Sequence, residues 1–173
     1  MGLATAVALL SQGSILGVCD INPENISRFV HGLDETAEKR VTTAVVDITN
    51  RSAFASFLDA TKEKFGQIDG IANFAGTAGH KLGHQLIWEV DEAEYNFIMD
   101  VNVKGLFNVL GEGLKPGLLQ EPGSIVHVAS MFSERGFGKG SVYSASKHAG
   151  VGMAKSAAIE AGKRGIRVNV VMP

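Results

Sequence analysis

Three side chains in this sequence could together move a proton, namely those of Ser130, Tyr143 and Lys147. Tyrosine alone is a poor acid or base at neutral pH, since its unperturbed pKa is about 10, but a neighbouring ammonium group favours the phenolate. Residues four apart share one face of a helix, so we expect Lys147 one turn beyond Tyr143. Ser130, on a separate segment, could donate a hydrogen bond to the same substrate oxygen.

The elements around these residues are predicted to bring them together. Ser130 follows the apolar run Ser124–Ala129, which has the pattern of a buried strand, and catalytic groups in open α/β sheets gather at the carboxyl ends of strands. Other strand-like runs are also followed by polar or small residues, namely Asp47-Ile48 after Val41–Val46 and Asn73-Phe74-Ala75-Gly76 after Ile68–Ala72. The sequence therefore predicts one edge of a sheet that carries all of these groups.

Strand-like apolar runs alternate with helical periods along the chain, which is typical of βαβ units and a parallel sheet. Asn22-Pro23 is expected to open a short helix and Asn50 to cap another, because asparagine caps helices and proline fits the first turn. The longest irregular segment is Thr77–Val90. We predict one domain over residues 1–173, with further helices at about 3–12, 51–65, 92–113 and 141–163 and strands at Ile15–Cys19, Val41–Val46, Ile68–Asn73, Ser124–Ala129 and Ile166–Val171.

Composition narrows the class of protein. With 45% apolar residues, 20% charged residues and a formal net charge of −2, nothing indicates nucleic acid or an anionic membrane as a partner. Cys19 is the only cysteine, so we expect no intrachain disulfide and a reducing, cytoplasmic location. No lysine or arginine precedes Arg28, which argues against a signal peptide.

These motifs resemble the short-chain dehydrogenase/reductase family in its single-domain form, over essentially the whole chain. The resemblance implies a Rossmann-like doubly wound parallel sheet in a three-layer α/β/α arrangement. It also implies that Asn102, Ser130, Tyr143 and Lys147 form the family's catalytic tetrad. Asn73–Gly76 matches its NNAG segment, with Phe74 in place of the second asparagine.

The same resemblance implies how a nicotinamide cofactor and a small alcohol or ketone would be held. Lys147 would bind the nicotinamide ribose and favour the phenolate of Tyr143, and Asn102 would anchor a water on the proton path. Asp47 would bond the adenine amino group and the Ile48 backbone its ring nitrogen. Asn73, Ala75 and Gly76 would line the ribose and nicotinamide side, and the family also implies a homo-oligomer when the protein has full length.

Two departures from the family concern the ends of the sequence. Gly2 matches the last glycine of a glycine-rich turn that, in the family, follows a first strand and lets the backbone approach the pyrophosphate. After Pro173 the family continues with a substrate loop, a helix and a last strand. We therefore expect a chain truncated at both ends, which lacks the central first strand and the C-terminal strand, binds dinucleotide poorly and has low stability.

Asp20 bears on the choice of cofactor. It follows the second predicted strand of the family layout, where a carboxylate can accept hydrogen bonds from the adenosine ribose and repel a 2′-phosphate. This indicates NAD, with NADP still open, although an aspartate here could simply stabilise the turn into Asn22-Pro23. The spacing of His80 and His84 would suit a metal, but Gly83 argues against a helix and no third ligand is evident, so we predict no metal site.

Three classes of function remain open. The first is an oxidoreductase with reversible hydride transfer between a secondary alcohol or ketone and a nicotinamide cofactor, with Tyr143 as the acid/base. The second is a truncated, catalytically silent member of the family. The third is an epimerase or dehydratase of its extended branch, which chain length and the ending Val168–Pro173 disfavour. His127 and His148 are expected to be structural.

Overall fold

The computed structural model describes residues 1–173 as an α/β chain with five parallel strands and seven α-helices. Short 3-10 turns occur at Ile87–Glu89, Met131–Ser133 and Gly162–Arg164. In chain order the elements are α1 (Gly2–Ser11), β1 (Leu16–Asp20), α2 (Pro23–His31), α3 (Glu35–Glu38), β2 (Val41–Val45), α4 (Arg51–Phe65), β3 (Ile68–Asn73), α5 (Glu92–Met99), α6 (Gly105–Gly113), β4 (Leu119–Val128), α7 (Ser141–Ala161) and β5 (Arg167–Val171).

Local capping explains where the helices begin and end. Asn22 accepts the Glu24 backbone N–H at 2.8 Å and Pro23 opens α2, as predicted from the sequence. Asn50 caps α4 through the N–H of Ala53 at 3.1 Å. Gly66 ends α4 with a φ of 87°, a conformation that glycine adopts without the steric cost that other residues pay.

The strands form two separate parallel sheets. β1 pairs with β2, from Leu16 opposite Val41 to Asp20 opposite Val45, and the second sheet has the order β3-β4-β5. No ladder joins β1 to β3, so each of these strands has one edge without a strand partner. This confirms the expected Rossmann-like arrangement without a strand at the centre of the sheet.

Apolar side chains pack on both faces of the first sheet. Cys19 of β1 packs against the large core formed by both sheets with α4, α6 and α7, whereas Leu16 and Val18 pack against Leu10 of α1 and Phe29 of α2. Alternate residues of a strand point to opposite faces, which accounts for this division. Helices therefore cover both faces of β1 and β2, as in a three-layer α/β/α arrangement.

Helix α6 makes polar contacts with the segment after β2 and with α4. Asn108 donates its side-chain amide to the carbonyls of Ile48 at 2.8 Å and Thr49 at 3.2 Å, in the segment after β2. Glu112 is 4% exposed and binds Arg51 of α4 at 2.5 Å as well as Lys115. These cations hold the pKa of Glu112 below its usual range, the Lys115 bond first and the Arg51 bond next, against the effect of burial.

The structure corrects several predicted boundaries. β4 begins at Leu119 rather than Ser124, because Glu121-Pro122-Gly123 lies within an irregular part of the strand, where pairing with β3 shifts register between Ile68 and Gly70. α3 was not predicted, and the segment expected as one helix at about 92–113 contains a π-helical stretch at Asp100–Lys104. None of the helices is both long and apolar enough to span a bilayer.

Candidate active site

Helix α7 carries the two residues that the spacing predicted would share a face. The Lys147 Nζ lies 5.7 Å from the centre of the Tyr143 ring, so the ammonium is above the aromatic face. Lys147 is 6% exposed, and no carboxylate lies within ion-pair distance of it. Burial lowers the pKa of Lys147. The result is a buried amine held next to a half-buried phenol.

Ser130 lies at the carboxyl end of β4, as predicted, and is 7% exposed. Its Oγ accepts the Phe132 backbone N–H at 3.2 Å, and its own N–H donates to the Ser133 hydroxyl at 3.2 Å. The Phe132 ring meets the Tyr143 ring edge-on, with centroids 6.4 Å apart. Ser130 and Tyr143 form no direct hydrogen bond, and both lie against Phe132.

Asn102 lies in the π-helical stretch between α5 and α6 and is 4% exposed. Its Oδ1 accepts the Thr77 N–H at 2.7 Å, and its Nδ2 donates to the Thr77 carbonyl at 2.7 Å and to the Ser146 hydroxyl at 2.9 Å. π-Helical turns inside helices occur frequently at functional sites. Both amide hydrogens of Asn102 are therefore used within the protein, and the side chain has none left to donate to a water.

The turn Asn73–Gly76, which follows β3, packs against Lys147 and Asn102 at Gly76. A Cβ atom placed on Gly76 would lie 3.1 Å from the Lys147 Nζ and 3.2 Å from the Asn102 Oδ1, so a side chain here would require these atoms to shift by a few tenths of an ångström. Asn73 accepts the Ala75 N–H at 3.2 Å and lies 3.2 Å from His127 through its Nδ2. Gly2, at the start of α1, faces Phe74. A Cβ atom placed on Gly2 would lie 3.4 Å from the Phe74 Cβ.

The predicted adenosine-binding residues lie at the carboxyl end of the other sheet. Asp20 accepts the Asn22 N–H at 2.8 Å and the Asn25 side-chain amide at 3.3 Å, so its carboxylate does stabilise the local turn. Asp47 accepts the Thr49 N–H at 2.8 Å. The Ile48 carbonyl is taken by Asn108, which leaves its N–H as the backbone group that could reach a ligand. No hydrogen bond links Asp20 or Asp47 to Asn102, Tyr143 or Lys147.

A small cavity adjoins Tyr143 between the 77–90 segment and the start of α7. Apolar and polar side chains line it, among them Leu82, Gln85, Val90, Ile98 and Val142. The Gln85 Nε2 donates to the Glu89 carbonyl at 3.0 Å, while its Oε1 is buried without a partner. A hydroxyl or amide of a bound molecule could satisfy that oxygen.

The 77–90 segment is anchored by Glu94, which sequence reasoning missed. Glu94 is 7% exposed and accepts the backbone N–H groups of His80 at 2.6 Å and Lys81 at 3.2 Å. It also binds the His80 Nδ1 at 2.8 Å, and this bond contributes most to holding the pKa of Glu94 below its usual range. His80 is thus engaged by a carboxylate, and no group of three or more metal-ligating side chains occurs in the structure.

The chain is similar in sequence to known proteins over its whole length. A sequence profile described as enoyl-(acyl carrier protein) reductase matches residues 1–173. The levodione reductase of Leifsonia aquatica is 34% identical over 174 residues, which cover the whole of this chain and 64% of that protein. The chain therefore spans slightly less than two thirds of that relative.

Solved structures also match almost the whole of this chain. An NAD+-bound xylitol dehydrogenase superposes with a TM-score of 0.88 at 28% identity, covering 99% of this chain and 65% of the other. A structure of ElxO with NADP bound gives a TM-score of 0.85 at 26% identity, with coverage of 99% and 68%. These proteins thus share the fold, and one is bound to NAD+ and the other to NADP.

Proposed function

The chain belongs to the short-chain dehydrogenase/reductase family, and we propose that it is an oxidoreductase with Tyr143 as its acid/base. The proposed reaction is reversible hydride transfer between a secondary alcohol or ketone and a nicotinamide cofactor. The observation that carries the proposal is the buried Lys147 ammonium, 5.7 Å from the centre of the Tyr143 ring and without a carboxylate partner.

The proposed chemistry follows from this contact. In the reduction direction the phenol gives up its proton, and a positive charge without a counter-ion stabilises the negative charge that develops on its oxygen. In the oxidation direction the Tyr143 oxygen takes the proton of the substrate hydroxyl, and in reduction it returns that proton to the carbonyl oxygen. We assign to the Ser130 hydroxyl, which is buried at the carboxyl end of β4, a hydrogen bond to the same substrate oxygen.

The residues present fit a nicotinamide dinucleotide. At Gly76 the turn presents backbone without a side chain close to the Lys147 Nζ and the Asn102 Oδ1. We propose that Lys147 and Tyr143 bind the nicotinamide ribose, that Asn73, Ala75 and Gly76 line this side, and that Gly2, Asp20, Asp47 and Ile48 hold the pyrophosphate and adenosine. When bound, the cofactor supplies or accepts the hydride.

NAD is the proposed cofactor because Asp20 ends β1 with a carboxylate that would repel a 2′-phosphate. The Asp20 carboxylate also accepts the Asn22 N–H, so it stabilises the local turn whichever dinucleotide binds. A small-molecule alcohol or ketone is the proposed substrate. A single-domain, homo-oligomeric enzyme in the reducing cytoplasm remains the expectation from the sequence.

Calorimetric titration of the purified protein with NAD and NADP, followed by a search for turnover, tests the proposal. Levodione and xylitol, named in two of the relatives, are suitable first probes, and cofactor absorbance reports hydride transfer. Tight NAD binding with turnover of any secondary alcohol or ketone would support the oxidoreductase. Binding without turnover across a broad panel would contradict it.

The alternative is a catalytically silent chain with impaired cofactor binding. Its supporting observation is that β1 and β3 each leave one backbone edge without a strand partner. Unpaired strand edges reduce stability and promote association between chains. Absence of NAD binding together with non-cooperative thermal unfolding would favour this alternative over the enzyme.

A further inference from the structure

Ser146 lies inside the Tyr143–Lys147 turn and is completely buried, with 0% exposure. Its Oγ donates to the Tyr143 carbonyl at 2.7 Å and accepts the Asn102 Nδ2 at 2.9 Å. The hydroxyl therefore connects the first turn of α7 with the π-helical stretch between α5 and α6. None of the proposed chemistry above uses it.

The direction of every hydrogen bond in this group is determined by the donors present. The Thr77 backbone N–H can only donate, so it must face the Asn102 Oδ1, 2.7 Å away. The Asn102 Nδ2 then points its two hydrogens at the Thr77 carbonyl and at Ser146. Ser146 must accept with its oxygen, and its single hydrogen is left for the Tyr143 carbonyl, which can only accept.

The Ser146 hydroxyl and the Asn102 amide together link three segments of the proposed active site. Thr77 begins the segment that lines the cavity, Asn102 lies in the π-helical stretch, and Tyr143 and Lys147 are on α7. A hydrogen bond from serine to a backbone carbonyl within its own helix also perturbs the helix locally. Loss of the hydroxyl would leave one buried Asn102 N–H without an acceptor and would break the hydrogen-bonded link between Asn102 and the Tyr143 carbonyl.

We propose that Ser146 is a positioning residue, which fixes the Tyr143 and Lys147 turn relative to Asn102 and Thr77. The proposal concerns the reaction only in so far as the oxidoreductase proposed above is correct. Its geometric content, that the Ser146 hydroxyl holds the Asn102 amide and the Tyr143 carbonyl together, can be tested without turnover.

Helix α7 offers a matched control. Ser144 is also buried, at 5% exposure, but its Oγ has no hydrogen-bond partner. Ser144→Ala therefore removes the same atoms from the same helix without breaking a bond. Ser146→Cys provides an intermediate, because a thiol is a weaker donor and acceptor than a hydroxyl.

NMR of the side-chain amide group of Asn102 reads the geometry directly. In Ser146→Ala, we expect the two Asn102 amide hydrogens to exchange with solvent at least about tenfold faster than in the wild type. In Ser144→Ala, we expect their exchange rate to be unchanged. In the active protein, Ser146→Ala should reduce kcat by about 10²-fold, because small displacements of catalytic groups have effects of this size. Ser146→Cys should lie between Ser146→Ala and the wild type, with the Kd for NAD changed less than about threefold.

The outcomes separate this inference from the proposed function. Unchanged exchange of the Asn102 amide in both alanine variants would overturn the positioning role, whether or not the protein is active. Normal kcat in Ser146→Ala alongside an inactive Tyr143→Phe would overturn it while leaving the oxidoreductase in place. If Ser146→Ala does not fold, the ordering of exchange rates in Ser146→Cys and Ser144→Ala decides the question in the same way.

Discussion

His127 lies on β4 with its Nδ1 3.2 Å from the Asn73 Nδ2 on β3, so a buried imidazole supports the turn that closes against Lys147. Asn73 accepts the Ala75 N–H through its Oδ1, which leaves its Nδ2 to donate to a neutral His127. Burial lowers the pKa of His127 to about 4, and the nearby Lys147 adds to the effect. The hydrogen bond from Asn73 therefore requires the neutral form of His127, which the sequence predicted to be structural.

A pH dependence of stability follows from this histidine. Between pH 6.5 and about 4, the unfolded chain binds a proton at His127 that the folded chain does not, so the free energy of unfolding falls as the pH falls through this window. The contribution is at most about 3 kcal/mol. His127→Gln retains an acceptor for Asn73 without titrating, so urea unfolding from pH 7 to pH 4 should show a shallower decline. Parallel curves for the two proteins would contradict the prediction.

Glu94 is predicted to hold the 77–90 segment in place. Glu94→Ala removes the acceptor for the N–H groups of His80 and Lys81, so both amides lose the hydrogen bond that protects them from exchange. Hydrogen exchange at these two amides should accelerate. Glu92→Ala, an exposed change in the same helical turn, is the control. Equal protection of both amides in Glu94→Ala and Glu92→Ala would show that the segment does not depend on Glu94.

Asp20 is predicted to set the preference for NAD. Asp20→Asn keeps an oxygen for the Asn22 N–H, so the local turn survives while the negative charge is lost. The ratio of the NADP Kd to the NAD Kd should fall by about tenfold, equivalent to about 1.4 kcal/mol. Titration calorimetry measures both constants. If the unaltered protein binds the two dinucleotides equally, Asp20 does not select the cofactor.

The sequence predicted the strands and the Tyr143–Lys147 pair because both depend on local periodicity. Apolar runs identify buried strands, and a four-residue spacing places two side chains on one helical face whatever surrounds them. The caps at Asn22 and Asn50 were likewise predictable, since a cap bonds backbone groups two or three residues away.

The contacts that sequence reasoning missed all cross between distant segments. Ser144 and Ser146 lie in the same turn of α7, and only the orientation of this helix against Asn102 decides which hydroxyl forms a bond. Glu94 fits an ordinary amphipathic helix until the 77–90 segment folds over it. The π-helical stretch has no residue signature in this sequence, and β4 begins before the predicted Ser124 because the apolar pattern is interrupted at Glu121-Pro122-Gly123.

In the proposed reaction the Tyr143 oxygen transfers the proton. Tyr143→Phe removes this single atom, and the ring keeps its contacts with Phe132 and Lys147. Stopped-flow measurement of hydride transfer in a single turnover, with cofactor and substrate both saturating, compares the variant with the unaltered protein. We predict a rate lower by about 10²–10⁴-fold, with the Kd for NAD within about threefold of the wild-type value. Hydride transfer at a near wild-type rate in Tyr143→Phe would contradict the assignment.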